Sequence, residues 1–323
     1  MTVRLPVERQ EAGPIRHRLK VAGIVAASVV LLGAVVVLPL AATPSELFFW
    51  EMAAVQILFA TSVNLLLGYA NLVSFGQAAF YGFGAYAVAE LATSTTWAAP
   101  VVLVATMLMS GLLALLVGWL ATRVRGVAFT MVTLAVGQAL YLIAFQSSTF
   151  GGANGLPGIM PAGFGPTAFW YLLSAFVALG MLGYWTITRS PFGQTLQAIR
   201  EDAKRATFLG VNIRRHHIVA FALAGCGAGL AGGLMTYASG IVTPDALAWT
   251  QSGYPIIMAL VGGIKVFLGP AVGAVIVTWL LYVLGQVTSS YLLYIGIVLA
   301  IVLVLAPNGL LLLVSRAFGR RRL

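Results

Sequence analysis

Apolar residues fill long stretches of this chain, and each stretch is broken by glycine, proline or a cluster of charges. A helix that crosses the hydrocarbon core of a bilayer needs about 20 mainly apolar residues. Stretches of that kind fall at about 21–41, 46–68, 72–92, 98–122, 126–147, 167–188, 216–239, 251–265, 267–288 and 290–313. Between Lys20 and Arg123 the only charged residues are Glu46, Glu51 and Glu90, and from Gly126 to Thr188 there are none. The pattern predicts an all-α polytopic membrane protein of about ten transmembrane helices. Merging two of the shorter stretches, of which 251–265 is one, gives eight; both counts put the two ends of the chain on the same side.

Composition excludes a soluble domain. Of 323 residues, 60% are hydrophobic and 8% charged, with a mean hydropathy of +0.99, where a soluble domain carries about 25% charged residues. The net charge of +10 comes from 18 Lys and Arg against 8 Asp and Glu. Nearly all the cations sit in four clusters between apolar stretches: Arg4, Arg9, Arg16, Arg18 and Lys20; Arg123 and Arg125; Arg189, Arg200, Lys204, Arg205, Arg214 and Arg215; Arg316, Arg320, Arg321 and Arg322. With a cytoplasmic N-terminus, ten crossings put every cluster inside, and Lys265 with them, as the positive-inside rule requires. Cations placed this way form loops at a membrane rather than a basic groove, so nucleic acid is not the expected partner. The chain divides into a basic cytoplasmic segment 1–20, a membrane domain 21–315 with a cytoplasmic loop 189–215, and a basic cytoplasmic tail 316–323. The first apolar stretch, about 21 residues long, exceeds the 7–15 of a signal-peptide core, so it is read as a retained helix. Cys226 alone allows no internal disulfide, and His17, His216 and His217 lack the spacing of a metal site. No cofactor is expected.

Two segments are short, glycine-rich and interrupted. One runs from Ser74 to Ala85; the other runs from Val261-Gly262-Gly263 through Gly269-Pro270 to Gly273-Ala274. Paired interruptions in the two halves point to an internal repeat with a solute path at its interface, while close helix packing is the alternative for any single glycine. On a helix, Thr130, Thr133, Gly137 and Tyr141 fall within about 80° of one another, with Gln138 at the edge, a face that suits either a wet path or packing. The candidate path residues are Gln77, Gly82, Gly84, Thr130, Thr133, Gln138 and Asn154. Ala222, Gly225, Gly229, Gly232 and Thr236 form a second small-residue stripe, read as packing. Glu90 reads as the only carboxylate well inside a span, near its outer end, which disfavours a proton or sodium relay.

The loop after Ile187 carries the densest signals. Ser190 can cap a helix that begins at Pro191 and ends at Gly210. Phe192, Leu196, Ile199, Ala203 and Ala206 make an apolar stripe along it. Arg200, Glu201, Lys204 and Arg205 point elsewhere, and Glu201 and Arg205 are spaced for an ion pair. Such a helix can lie on anionic lipid or offer a rigid surface to a cytoplasmic partner, with Phe208 the residue that would enter the partner's groove.

In their order along the chain, four stretches carry a resemblance. They are Asn64 through Ala85; Arg125-Gly126 through Thr133-Leu134-Ala135; Arg189-Ser190-Pro191-Phe192-Gly193 through Ala198-Ile199-Arg200-Glu201-Asp202 to Leu209-Gly210-Val211-Asn212; and Ala228-Gly229-Leu230-Ala231-Gly232 with Gly262-Gly263. Over roughly 50–312 the chain resembles the larger membrane subunit of branched-chain amino acid ABC importers. The resemblance implies the ABC importer permease fold in the bacterial cytoplasmic membrane, and a subunit that binds no ATP; no G-x-x-x-x-G-K-[ST] loop occurs in the chain. It also implies a second permease subunit, two cytoplasmic ATPases and an extracytoplasmic solute-binding protein. By resemblance, Ala198–Gly210 is the coupling element on the ATPase, with Arg200, Glu201, Asp202, Arg205 and Gly210 in that role. Ala206 and Gly210 keep only the A-x-x-x-G end of the family's loop pattern. Phe150-Gly151-Gly152 stands where the family usually has Thr-Gly-Gly, in a loop expected to face outward. The implied solute is a branched-chain amino acid or a related small polar molecule; urea or short amides, an ion-coupled secondary transporter and a membrane scaffold are the alternatives.

Overall fold

The computed structural model describes residues 38–287, 291–305 and 309–311. The basic segment 1–20, most of the stretch 21–41 and the tail 316–323 lie outside them. Contacts divide the chain into an N-terminal unit, Met1–Thr43, and a second unit, Pro44–Leu323. Of the first, residues 38–43 are described; they carry one helical turn, in which Ala42 N–H donates to Leu38 O at 2.9 Å.

In the second unit, the helices are α1 (Pro44–Asn64), running on into a π-helical turn Leu65–Tyr69, α2 (Gln77–Ser94), α3 (Ala99–Ala121), α4 (Val127–Gln146) and α5 (Pro166–Arg189). Two short helices follow, α6 (Pro191–Glu201) and α7 (Ala203–Phe208), then α8 (Ile213–Ser239), α9 (Trp249–Gly262), α10 (Gly269–Val287) and α11 (Tyr291–Leu305). Every apolar stretch predicted from residue 46 onward coincides with a helix. Among the described residues six helices are long and apolar enough to cross a membrane: α1 with its π turn, α3, α4, α5, α8 and α10. The first predicted span, 21–41, lies mostly outside the described residues and is not among these six. Helix α9 has 14 residues and α11 has 15, and α2, at 18, is diluted by Gln77, Glu90 and its glycines.

Helix α8 is the axis of packing, with α1, α2, α3 and α5 against it. Lipid is as apolar as leucine, so helices in it associate through close backbone approach and not through burial of large side chains. The predicted stripe does this: a Cβ on Gly232 would collide with the Tyr81 carbonyl of α2, and Gly225 and Gly229 receive Ala114 and Ser110 of α3. Conversely, Leu108, Leu112 and Leu116 of α3 point outward at four-residue spacing. A smaller core joins Ala60 of α1 to Met258 and Val261 of α9, Val277 of α10, and Ile295 and Leu299 of α11.

The second interrupted segment is a break in the helical path, whereas the first, Ser74–Ala85, is helical from Gln77 onward and the break falls mostly before it. After the π turn Asn71 adopts φ 55°, and the chain runs without helix to Gly76. After α9, Gly263 takes φ 112° before α10 starts.

Helix directions define two ends. Tyr184 OH of α5 donates to Leu223 O of α8 at 2.8 Å, and farther along Phe169 meets Tyr237, so α5 and α8 are antiparallel. One end gathers cations on aromatic rings: Arg123 over Trp119 and Arg189 over Trp185, each at 4.2 Å, with Arg214 Nη2 donating to Trp119 O at 3.0 Å. At the other, β1 (Leu156–Pro157) pairs antiparallel with β2 (Ile241–Val242).

Candidate functional site

The basic end carries a helical arm whose backbone ends are individually closed. Ser190 Oγ accepts from Gly193 N–H at 3.4 Å and donates to Ile187 O at 2.7 Å, so α6 starts at Pro191 as predicted. Gly193 is required there, because a Cβ would press to 2.5 Å on the Ile187 and Thr188 carbonyls as the chain doubles back. The predicted single helix from Pro191 to Gly210 is instead two. Asp202 is extended (φ −153°, ψ 97°) and its Oδ1 accepts from Arg205 N–H at 3.0 Å, which ends α6 and caps α7. The break also corrects the expected ion pair. Glu201 no longer shares a helix with Arg205, and Asp202 Oδ2 takes the Arg205 Nε instead, at 3.7 Å. Ala203 is turned out to solvent for the same reason, while Leu196, Ile199 and Ala206 are buried. Phe192 stacks on His216, ring centroids 5.7 Å apart. Gly210, at φ 83°, closes α7, with Gly210 N–H on Thr207 O and Val211 N–H on Ala206 O, the two bonds of a Schellman motif.

At the tip, Phe208 is 90% exposed and Leu209 79%. Arg200 does not stand with them. Its guanidinium turns inward and donates to the Gly68 carbonyl in the π turn. Gly68 is itself pressed on the Ile264 carbonyl in the second break, where a Cβ would lie 2.5 Å away. Arg200, Glu201 and Gln197 thus line a crevice of about 360 Å³ with Gly68, Tyr69 and Lys265. One side chain ties the arm to the foot of α1 and, through Gly68, to the link between α9 and α10.

The predicted path residues do not converge. Gln77 is fully buried at the start of α2, and its Oε1 and Nε2 have no partner among the described residues. Gly82 packs on Leu247, and Gly84 meets the Gly229 backbone of α8 so closely that any Cβ would collide with it. Thr130 Oγ1 donates to Val73 O at 2.9 Å, and the buried Thr133 lies against Gly76. The face shared by Thr130, Thr133 and Gly137 therefore packs on the stretch before α2. Gln138 is half-buried on α4, and Asn154 is exposed in the loop before β1. In that loop Phe150 meets Tyr86 edge-on at 5.6 Å, which anchors it by an apolar contact.

A cavity of about 600 Å³ lies elsewhere, walled by α1, α2, α8, α9, α10 and the turn 244–247, a size typical of small-molecule sites. Gln56, Tyr81, Thr236, Asp245, Gln251 and Thr278 give it polar groups. None of the seven predicted path residues lines it. Their signal in the sequence is faint: Gln56 and Thr278 are single polar residues inside apolar stretches. Glu51 was also passed over; it is 6% exposed in α1, whereas Glu90, expected to be the only carboxylate within a span, is exposed.

Comparison with known proteins agrees with the fold. Residues 45–307 match the family described as branched-chain amino acid transport system / permease component. The high-affinity branched-chain amino acid transport system permease protein LivM of Escherichia coli K12 is 24% identical over 80% of this chain and 68% of its own. The probable LivM of Methanocaldococcus jannaschii is 25% identical over 77% and 88%. The autoinducer 2 import system permease protein LsrC of Escherichia coli O9:H4 is 29% identical over 72% and 68%. No solved structure matches. With most of its length inside that family match, this multi-pass membrane protein belongs to the permease components of the branched-chain amino acid transport system.

Proposed function

We propose that the chain is one of two membrane subunits of an ATP-driven importer for branched-chain amino acids in the bacterial cytoplasmic membrane. Its partners are a second permease subunit, two cytoplasmic ATPases and an extracytoplasmic binding protein. Both ends of the chain and the arm face the cytoplasm, and the two interrupted segments are counterparts in an internal repeat. The relatives' names support the solute class. The observation that carries the coupling role is the arm itself, with Phe208 and Leu209 offered to solvent on a capped helix. Burying two such side chains in a groove stabilises a contact by about 1.5–3 kcal/mol each.

No covalent chemistry occurs on this subunit. The binding protein releases solute at the ribbon end, and ATP binding draws the ATPases together. The arm transmits that motion to the membrane helices through Arg200 and Gly68. For the motion to shift the balance between outward-open and inward-open states, the arm must bind its ATPase differently in the two. Gly82, Gly84, Thr130 and Thr133 then serve the path by holding α2 and α4 in place, and Gln77, Gln138 and Asn154 keep their proposed place along it. A second solute, autoinducer 2, is kept as an alternative because the LsrC relative is named for its import.

Uptake of radiolabelled leucine tests the reading, in membranes that hold the chain with its co-encoded partners. ATP-dependent uptake is expected, and Arg200→Met should lower it about tenfold, the equivalent of one hydrogen bond to a charged group, while the ATPases still co-purify. Leucine uptake that continues without ATP, or an R200M variant that transports at the wild-type rate, would overturn the proposed coupling.

A further inference from the structure

We propose that the cavity between α1, α2, α8, α9 and α10 is the permease's own solute site, and that it takes a small zwitterion with an apolar side chain, its ammonium held by Asp245. The inference rests on the permease reading and adds to it a site and a basis for selection within the membrane subunit. Among the described residues Asp245 is the only charged one in the cavity wall, and it sits exposed on the turn Pro244–Leu247, toward the ribbon end and away from the basic arm. A lone carboxylate at that position attracts an ammonium group and repels a second carboxylate.

Farther in, Gln56 Oε1 and Thr278 Oγ1 are buried without a hydrogen-bond partner among the described residues, and Thr278 is 1% exposed. Buried polar atoms in native structures are almost always partnered, so these two are groups for a guest to satisfy. Gln56 Oε1 can accept from an ammonium, and the Thr278 hydroxyl can donate to a carboxylate. The same wall carries apolar, adaptable side chains: Met52, Met235, Met258 and Leu281. Unbranched thioethers fit aliphatic side chains of several shapes. Among the described residues the wall holds no basic group to neutralise the extra carboxylate of an acidic amino acid.

The test uses the full transporter in membrane vesicles, supplied with labelled leucine, glutamate or ribose. Leucine alone is expected to accumulate. Asp245→Asn keeps the side chain's size and removes its charge; maximal leucine uptake should fall about tenfold, as for loss of a charged hydrogen bond. The half-saturating leucine concentration, set by the binding protein, and the amount of assembled complex should not change. Thr278→Val should lower maximal uptake by a smaller factor in the same pattern. Wild-type maximal uptake in both variants, uptake loss that only tracks loss of complex, or ribose or glutamate entering as readily as leucine would each overturn this site while leaving the permease reading intact. If the assembled wild type hydrolyses ATP and moves none of the three solutes, the permease reading falls and the site with it.

Discussion

At the basic end, the arm of α6 and α7 has its backbone closed at each terminus by Ser190, Asp202 and Gly210, while apolar Phe208 and Leu209 stand in solvent. Toward the ribbon end the emphasis is reversed: the cavity is lined by buried and half-buried apolar side chains and leaves Gln56 Oε1 and Thr278 Oγ1 without partners among the described residues. A surface with satisfied polar groups and exposed apolar ones suits a protein, which can cover a broad patch and needs few directed bonds. A concave space with unsatisfied polar groups suits a small molecule, which has little area and must be fixed by direction. On the proposed reading the two regions suit different partners because they leave different groups unsatisfied.

The largest effect on this comparison should come from the packing that holds both regions. Gly84→Leu forces a side chain into the Gly229 backbone, and overpacking of this kind costs at least about 1–3 kcal/mol. The amount of folded protein extracted from membranes should drop, and uptake should fall in proportion. Normal abundance with lost uptake would instead restore a gating role for the segment.

Next in size is the arm tip. Replacing Phe208 and Leu209 together by alanine should weaken ATPase binding more than tenfold, given about 1.5–3 kcal/mol for each buried apolar side chain. The permease itself should keep its thermal stability, because both side chains are exposed. Co-purification and a melting curve on the same sample check both halves; unchanged co-purification would remove the contrast between the two ends.

The smallest effect separates two neighbouring acids. Asp202→Ala removes the cap of α7 and the contact with Arg205, which should cost about 1 kcal/mol locally. It should be seen as faster hydrogen exchange of the amides between 205 and 210. Glu201→Lys should leave those amides unchanged, since Glu201 makes no ion pair with Arg205.

Much of the arm could be read directly because it is contiguous. Ser190, Pro191 and Gly210 act on the backbone beside them, so their residue types already state where the helix starts and stops. The break at Asp202 escaped the periodicity argument, as its apolar residues continue at helical spacing across a kink that only the cap reveals. The stripe on α8 was legible because fixed spacing defines a face. Its partners were not: nothing near Gly84 says that Gly229 lies opposite. The cavity was harder still, since its walls come from five helices and a turn, and each contributes one or two polar residues that look incidental in isolation. Helices such as α2 and α9 are harder to assign to the bilayer, because a helix shielded by its neighbours can be short or partly polar.

The arginines stacked on Trp119 and Trp185 have one more consequence when set beside Trp97 and Trp249, which are exposed at the ribbon end. Tryptophan favours the headgroup layer on either side of a bilayer. Along α3, about twenty residues separate Ala99, just after Trp97, from Trp119, and at about 1.5 Å per residue that is about 30 Å, the thickness of the hydrocarbon core. The molecule therefore carries its own depth gauge. Asp245 stands four residues before Trp249, close to one of those marks, and the arm that carries Phe208 follows Arg189, whose guanidinium stacks on Trp185 at the other.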